Sequence, residues 1–151
     1  MLKKLFYNER FTAILWAGLA LATILQNVVI RGKYNNYLIF EGVFNHTLKQ
    51  LPLFVPYPEE YGDMNHYGVF FSAIIAPFAL LPSGLGCALW ILANVAFLYW
   101  AIRQLPLSKG VLIGILLIAA HDMYTAAVMQ QFNISVIALL VAAFVFVEKG
   151  K

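Results

Sequence analysis

Three apolar runs in this chain are each long enough to cross a lipid bilayer as an α-helix. They cover residues 11–30, 85–102 and 110–128. A hydrocarbon core of about 30 Å needs about 20 apolar helical residues, because each residue of an α-helix rises about 1.5 Å. Only 11% of the residues are charged, whereas soluble domains carry about 25%. The sequence therefore predicts an all-α integral membrane protein.

Two further apolar runs, residues 67–81 and 134–147, are shorter. The run 67–81 contains Pro77 and fits either a tilted span or a re-entrant half-helix. We therefore expect about four to five transmembrane or re-entrant helices. If all five runs crossed in strict alternation, the basic residues at 103–109 would lie outside, which the positive-inside rule disfavours. The rule favours the arrangement in which 67–81 re-enters and every basic cluster stays cytoplasmic.

The first ten residues carry Lys3, Lys4 and Arg10 ahead of the first span. That span is too long for the apolar core of a signal peptide. We expect a multi-pass protein of the plasma (inner) membrane with its N-terminus in the cytoplasm. The net charge of +3 is too small to suggest a nucleic-acid partner, and Cys87, which is the only cysteine, is expected to be a packed thiol.

One polar stretch, residues 30–66, stands among these apolar runs. It holds four of the seven acidic residues and two of the three histidines. If the chain carries out chemistry, this stretch is where the reactive groups lie. We interpret residues 1–151 as a single membrane domain with a first span (11–30), an outer loop (31–66) and a helical membrane bundle (67–147).

The spacing within the outer loop predicts a helix over residues 35–50, with Asn35 or Asn36 as its N-cap. Because the helix is too polar to span, we expect it to lie flat at the membrane interface. The prolines of residues 51–58 end it. Its predicted lipid-facing side chains, which follow spacings of three and four, are Tyr37, Phe40, Phe44, Leu48 and Leu51.

Four motifs then occur in a fixed order: NNYLIFEGVF after the first span, HYGVFFSAIIAPFALLP, LGCALWILANVAFLYWAIRQLP and QQFN. Their order and spacing resemble the N-terminal part of glycosyltransferase family 87. Members are multi-span transferases of the GT-C type, similar to polyprenyl-phosphate-mannose-dependent mannosyltransferases. The resemblance covers nearly all of the chain, which would then be a fragment of a longer enzyme.

The resemblance implies transfer of a mannose-like hexose from a polyprenyl-phosphate donor to an acceptor on the outer face of the membrane. It implies membrane lipid as a partner. We expect no cofactor, and no metal site, because His46 and His66 stand far apart in the sequence without further ligands. The alternative is a truncated, non-catalytic small membrane protein that binds lipid or a partner helix. The oligomeric state, the donor sugar and the acceptor stay open.

Family members carry a catalytic acid soon after the first span, and the position that aligns with it here is Asn36. An amide does not accept a proton at neutral pH, so the other catalytic candidates are Glu59, Glu60 and Asp63. We favour Asp63, because it follows Gly62 and stands just before the chain returns to the membrane. Glu59 and Glu60 are expected to point to water.

The candidates for binding the substrate or the lipid phosphate are Arg31, Lys33, His66, Tyr67, Gln131 and Asn133. Arg31 and Lys33 follow the first span, where a phosphate would lie, although snorkelling to the interface also explains them. Tyr67 stands at the family's YxP-like start. Gln131 and Asn133 keep the family's GQxN element, in which Gln130 replaces the glycine, and hydrogen bonding between helices would also account for them.

Overall fold

The computed structural model describes residues 8–150, and no β-strand occurs in that range. The predicted all-α fold is confirmed. The helices are α1 (Glu9–Ile24), which continues as a π-helix (Leu25–Ile30), then α2 (Asn35–Leu48), α3 (Val69–Ala79), α4 (Ser83–Arg103), α5 (Lys109–Val128) and α6 (Asn133–Lys149).

Within residues 8–150, three helical stretches are long and apolar enough to cross a membrane: Glu9–Ile30, Ser83–Arg103 and Lys109–Val128. They coincide with the three long apolar runs of the sequence, and the chain is a membrane protein. The helix α3 has only 11 residues, or about 16 Å of rise, which is too short to cross a core of about 30 Å.

The described residues form two compact units. Unit 1 takes residues 8–24 and 91–150, and unit 2 takes residues 25–90. Unit 1 contains α1, the second part of α4, α5 and α6. Unit 2 contains the π-helix, α2, α3 and the start of α4, so it holds the whole polar stretch.

In unit 1, α1 and α5 run parallel to one another. The Trp16 indole donates to the Leu116 carbonyl at 3.0 Å, and the Glu9 carboxylate lies 3.2 Å from Lys109 Nζ. The second oxygen of Glu9 lies 2.8 Å from Arg103 Nη1. One acidic side chain at the start of α1 thus binds the basic residue that ends α4 and the one that begins α5.

The end of α6 lies at this same end of unit 1, since Lys149 Nζ donates to Gln104 Oε1 at 3.4 Å. The chain therefore leaves unit 1 after Ile24 and returns at Ile91 on the side away from these basic residues. The re-entry of α3 into the membrane stays a prediction.

We predict that cysteines introduced by Asn8→Cys and Ser108→Cys, each in a Cys87→Ala background, react with an impermeant maleimide from the same side of the membrane. The reason is that Glu9 contacts Arg103 and Lys109 directly. The positive-inside rule identifies that side as the cytoplasm. A permeant maleimide serves as the control for reactivity, and labelling of the two positions from opposite sides would contradict the helix arrangement.

In unit 2, α2 packs its apolar face against α3 and the start of α4. The Phe40 ring lies 5.0 Å from Tyr67, 5.1 Å from Phe71 and 5.7 Å from Trp90, measured between centroids. Phe40 and Tyr37 are buried in this packing. The prediction that these two side chains face lipid is therefore wrong, because protein already covers them, whereas Leu48 is exposed as predicted.

The predicted N-cap of α2 is also wrong. Tyr34 occupies the N-cap position, and no side chain caps the helix there. The Asn35 side chain is engaged elsewhere, since its Oδ1 accepts the Gly62 amide at 2.7 Å. The Asn35 side chain therefore binds the loop and does not cap α2.

The start of α4 lies very close to α2. The Tyr37 hydroxyl packs directly on Gly86, and the Phe78 carbonyl crowds the same position, so a β-carbon at residue 86 would meet both. The neighbouring Cys87 is a buried free thiol, as predicted.

Gly86→Ala should lower the free energy of unfolding by about 1–3 kcal/mol, because the added methyl overpacks a contact made partly by backbone. The matched control is Gly114→Ala in α5, where nothing lies within 4 Å of the added carbon. That change should be neutral or stabilising, because alanine favours helix over glycine by about 1 kcal/mol. Thermal unfolding of the purified protein in detergent measures both, and equal effects would refute the close approach.

Candidate functional site

The loop of residues 49–68, which joins α2 to α3, lies along one face of α2. That face carries Asn35, Gly42 and His46, at spacings of seven and four residues. Asn35 binds the backbone of Gly62, and a β-carbon on Gly42 would come within 2.6 Å of the Tyr61 ring. Glycine is therefore needed at residue 42 for Tyr61 to lie this close to the helix. We call Asn35, Gly42 and His46 the loop-binding face of α2.

His46 makes the strongest contact on the loop-binding face. Its Nε2 lies 3.0 Å from Glu60 Oε2 and donates to that carboxylate, with the imidazole almost fully buried and the carboxylate 50% exposed. The Tyr57 ring covers the imidazole with 3.8 Å between centroids. Glu60 is exposed, as expected, but the contact with His46 also gives its carboxylate a part in holding the loop. Glu59, beside it, is exposed as expected.

Tyr57 is fixed at its other end as well, since its hydroxyl donates to the Pro52 carbonyl at 2.8 Å. Tyr61 is buried, and its hydroxyl has no hydrogen-bond partner. Burial raises the pKa of the Tyr61 phenol, and the charges of Glu60 and Tyr57 raise it further. Contacts with the rest of the unit therefore hold both rings in place.

These contacts shape an open depression of about 290 Å³ on the surface of unit 2. Its lining residues are Pro56, Tyr57, Pro58, Tyr61, Gly62, Asp63 and Met64. Pockets for small ligands begin at about 300 Å³ and combine apolar walls with a few polar groups. This depression likewise combines apolar surface, from two aromatic rings, with one carboxylate.

Asp63 is the acidic group at the depression. Its side chain is exposed, and its Oδ1 accepts the Met64 amide at 2.7 Å, which fixes the direction of the carboxylate. Of the three predicted carboxylates, Asp63 alone is among the residues that line the depression. Within residues 8–150, no group of three or more histidine, cysteine, aspartate or glutamate side chains is placed to hold a metal ion.

Arg31 and Lys33 follow the π-helix and are exposed, as the sequence predicts. The Lys33 amide donates to the Asn27 carbonyl at 2.8 Å, and Gly32 between the two has a φ of +57°. When the side-chain amide of Gln26 is oriented so that its oxygen accepts a hydrogen bond from Arg31, that oxygen lies 3.0 Å from Arg31 Nη2. The backbone therefore holds both cations at the end of the first membrane helix.

His66 and Tyr67 differ in their surroundings. His66 is exposed, whereas the Tyr67 ring packs on Phe71 at 4.5 Å and burial raises the pKa of its phenol. The buried Asn65 holds this turn, because its side chain accepts the Tyr67 amide and donates to the Leu53 and Tyr67 carbonyls. The geometry makes Tyr67 a packing residue.

Glu41 is a carboxylate that the sequence analysis did not select. Its Oε1 accepts the Ser83 hydroxyl at 3.1 Å, and its Oε2 is buried without a hydrogen-bond partner. Tyr37, one turn earlier, also has a buried hydroxyl with no partner; burial and then the charge of Glu41 raise the pKa of its phenol. The sequence did carry a signal for this pair, because the i, i+4 spacing of Tyr37 and Glu41 places both side chains on one face of a helix. Asn36, beside them, is half-buried.

Gln131 and Asn133 lie in unit 1, where Gln131 follows α5 and Asn133 begins α6. Asn133 Nδ2 donates to Gln131 Oε1 at 3.3 Å, so the two amides bind each other. Gln130 has a φ of +50°, a backbone conformation that glycine adopts most easily. In the GQxN pattern that the sequence resemblance implies, a glycine would stand here, and this backbone conformation suits it.

A sequence model of glycosyltransferase family 87 matches residues 65–151. The chain belongs to glycosyltransferase family 87. The match begins directly after the depression, so it covers His66, Tyr67, Gln131 and Asn133 and leaves Asp63 just outside. No curated protein and no solved structure gives a significant match to the chain.

We predict that Glu60→Gln loosens the loop and Glu59→Gln does not, because Glu60 alone of this pair binds His46. A hydrogen bond between a charged and a buried group contributes about 1 kcal/mol after solvent exposure is allowed for. Amide hydrogen exchange over residues 55–62 should therefore accelerate about fivefold in Glu60→Gln. Equal exchange in the two variants would show that the His46–Glu60 contact does not hold the loop.

Proposed function

We propose that this member of glycosyltransferase family 87 transfers a mannose-like hexose from a polyprenyl-phosphate donor to an acceptor hydroxyl. The reaction takes place at the outer face of the plasma (inner) membrane, with the N-terminus in the cytoplasm. The family match over residues 65–151 carries the proposal. The three helices long enough to span support a donor that is itself anchored in lipid.

Asp63 is the proposed general base. The acceptor oxygen attacks C1 of the donor sugar, the acceptor proton passes to the Asp63 carboxylate, and the C1–O bond to phosphate breaks. The polyprenyl phosphate leaves with that electron pair. The support is geometric: Asp63 borders a depression the size of a sugar ring, whereas the carboxylate of Glu60 is bound to His46.

Arg31 and Lys33 are the proposed partners of the donor phosphate. They are exposed cations at the end of a membrane helix, where the headgroup of a membrane-anchored donor lies. A leaving group that departs as a phosphate anion is stabilised by fixed positive charge, which lowers the barrier to bond cleavage.

Each unit contributes proposed binding residues of its own: His66 in unit 2, beside the packed ring of Tyr67, and the Gln131–Asn133 pair in unit 1. Imidazole and amide groups hydrogen-bond sugar hydroxyls, and all four positions lie inside the part of the chain that the family model matches. Asn36 stands where the family has its acid. Its amide can position a hydroxyl but does not take a proton.

Asp63→Asn should lower the transfer rate by about 10²–10⁴-fold, because it keeps the shape of the side chain and removes its basicity. The assay follows radiolabelled mannose from a polyprenyl-phosphate donor in membranes with matched protein levels. Glu59→Gln and Glu60→Gln are measured in parallel. Full activity in Asp63→Asn with a comparable loss in either neighbour would move the base to that residue.

The amide of Asn36, at the position where a catalytic acid is expected, favours a second candidate function. In that function the chain is a non-catalytic membrane protein that binds lipid or a partner helix. The same assay separates the two functions. Transfer by the wild-type chain excludes the non-catalytic protein. Absence of transfer by the correctly inserted chain, and by any longer protein that contains it, excludes the transferase.

A further inference from the structure

Tyr57 lies in the loop where it contacts both the buried His46 and the depression. One side of its ring lies on the buried His46 imidazole, and the ring also lines the depression that Asp63 borders. The hydroxyl at its far end is tied to the Pro52 carbonyl. The side chain is thus supported from behind, anchored at its tip and open to the depression.

We infer that Tyr57 is a specificity-determining residue that stacks against a hexose ring in this depression, next to Asp63. The choice of a hexose rests on the proposed function. The identification of Tyr57 as the stacking surface rests on the contacts of the ring itself.

The physical reason lies in the two-sided character of a pyranose. Its axial C–H groups form an apolar patch whose hydrogen atoms carry partial positive charge. The face of an aromatic ring carries partial negative charge, so the two attract one another. The hydroxyls project sideways around the ring. In the depression, these hydroxyls meet the Asp63 carboxylate, which accepts hydrogen bonds.

The surroundings of Tyr57 make the surface rigid before any sugar binds. Pro56 and Pro58 flank it in the sequence, and each has a fixed φ. Glu60 holds the His46 imidazole on which the ring rests. A surface that is already ordered loses little conformational entropy on binding, which favours affinity.

The structure also separates Tyr57 from other aromatic residues of the same loop. Tyr61 lies against Gly42 of α2 and is buried. Phe54 is 60% exposed and is not among the residues that line the depression. Phe54 therefore provides a matched control for the loss of one aromatic ring from the loop.

The first experiment measures binding alone. The full chain in lipid nanodiscs is titrated with methyl α-D-mannopyranoside and observed by saturation-transfer difference NMR. Tyr57→Ala should weaken binding about 10-fold and remove saturation of the ring C–H protons, because an aromatic contact is lost. Tyr57→Phe and Phe54→Ala should keep the wild-type pattern.

Wild-type saturation in Tyr57→Ala, or an equal loss in Phe54→Ala, would overturn the inference. If circular dichroism shows that Tyr57→Ala is unfolded, Tyr57→Leu replaces it, since leucine covers His46 but has no aromatic face. Undiminished binding by Tyr57→Leu would then overturn the inference in the same way.

The second experiment determines whether the hexose that stacks on Tyr57 belongs to the donor or to the acceptor. Transfer from a short-chain polyprenyl-phosphate mannose to methyl α-D-mannopyranoside is measured with Tyr57→Ala. A rise of about 10-fold in KM for the mannoside alone assigns the stacked ring to the acceptor, and a rise for the phosphate donor alone assigns it to the donor. Unchanged KM values for both would overturn the stacking role.

The two proposals fail in different ways. A wild-type chain that binds the mannoside through Tyr57 but transfers no sugar refutes the transferase and leaves the stacking surface intact. A chain that transfers sugar with full Tyr57→Ala activity and binding refutes the stacking surface alone.

Discussion

The loop between α2 and α3 has no helix or strand of its own, so apart from a few backbone hydrogen bonds its attachment to α2 depends on side chains. The contact between His46 and Glu60 is central among these, because it joins a buried imidazole on a rigid helix to the part of the loop that carries Tyr57. Asn35 makes a second attachment at Gly62. The position of Asp63 follows from these two contacts.

The helix α2 is covered on two faces, and this decides what it can do. Phe40 and its neighbours bury the apolar face against α3, while the loop-binding face holds residues 57–62. A polar helix enclosed in this way takes its position from protein contacts. The depression beside Asp63 therefore keeps its shape without relying on the surrounding lipid to order it.

The sequence was sufficient to predict the spans and the existence of α2, because both depend on local apolar patterns. It could not reveal what α2 packs against. The periodicity of Tyr37 and Phe40 predicts a buried face, but protein and lipid satisfy the same pattern equally well. The N-cap prediction failed for a related reason, since Asn35 binds Gly62, a residue that local rules do not connect with it.

The candidate site could be predicted only as a set of residue types. Acidic clustering selected Asp63, Glu59 and Glu60, and nothing in their spacing distinguished the carboxylate that binds His46 from the one that lines a depression. Glu41 escaped notice because its partner, Ser83, lies in another helix. Each of these distinctions depends on a tertiary contact, which a single sequence does not display.

The separation of contacting residues along the chain differs sharply between the two units. Glu60 is 14 residues from His46, and Gly62 is 27 from Asn35, whereas the Trp16 indole binds a carbonyl 100 residues away. Contacts that close short loops form sooner than those that close long ones. During synthesis, the depression beside Asp63 can thus form before α5, which packs against the first membrane helix, has emerged from the ribosome.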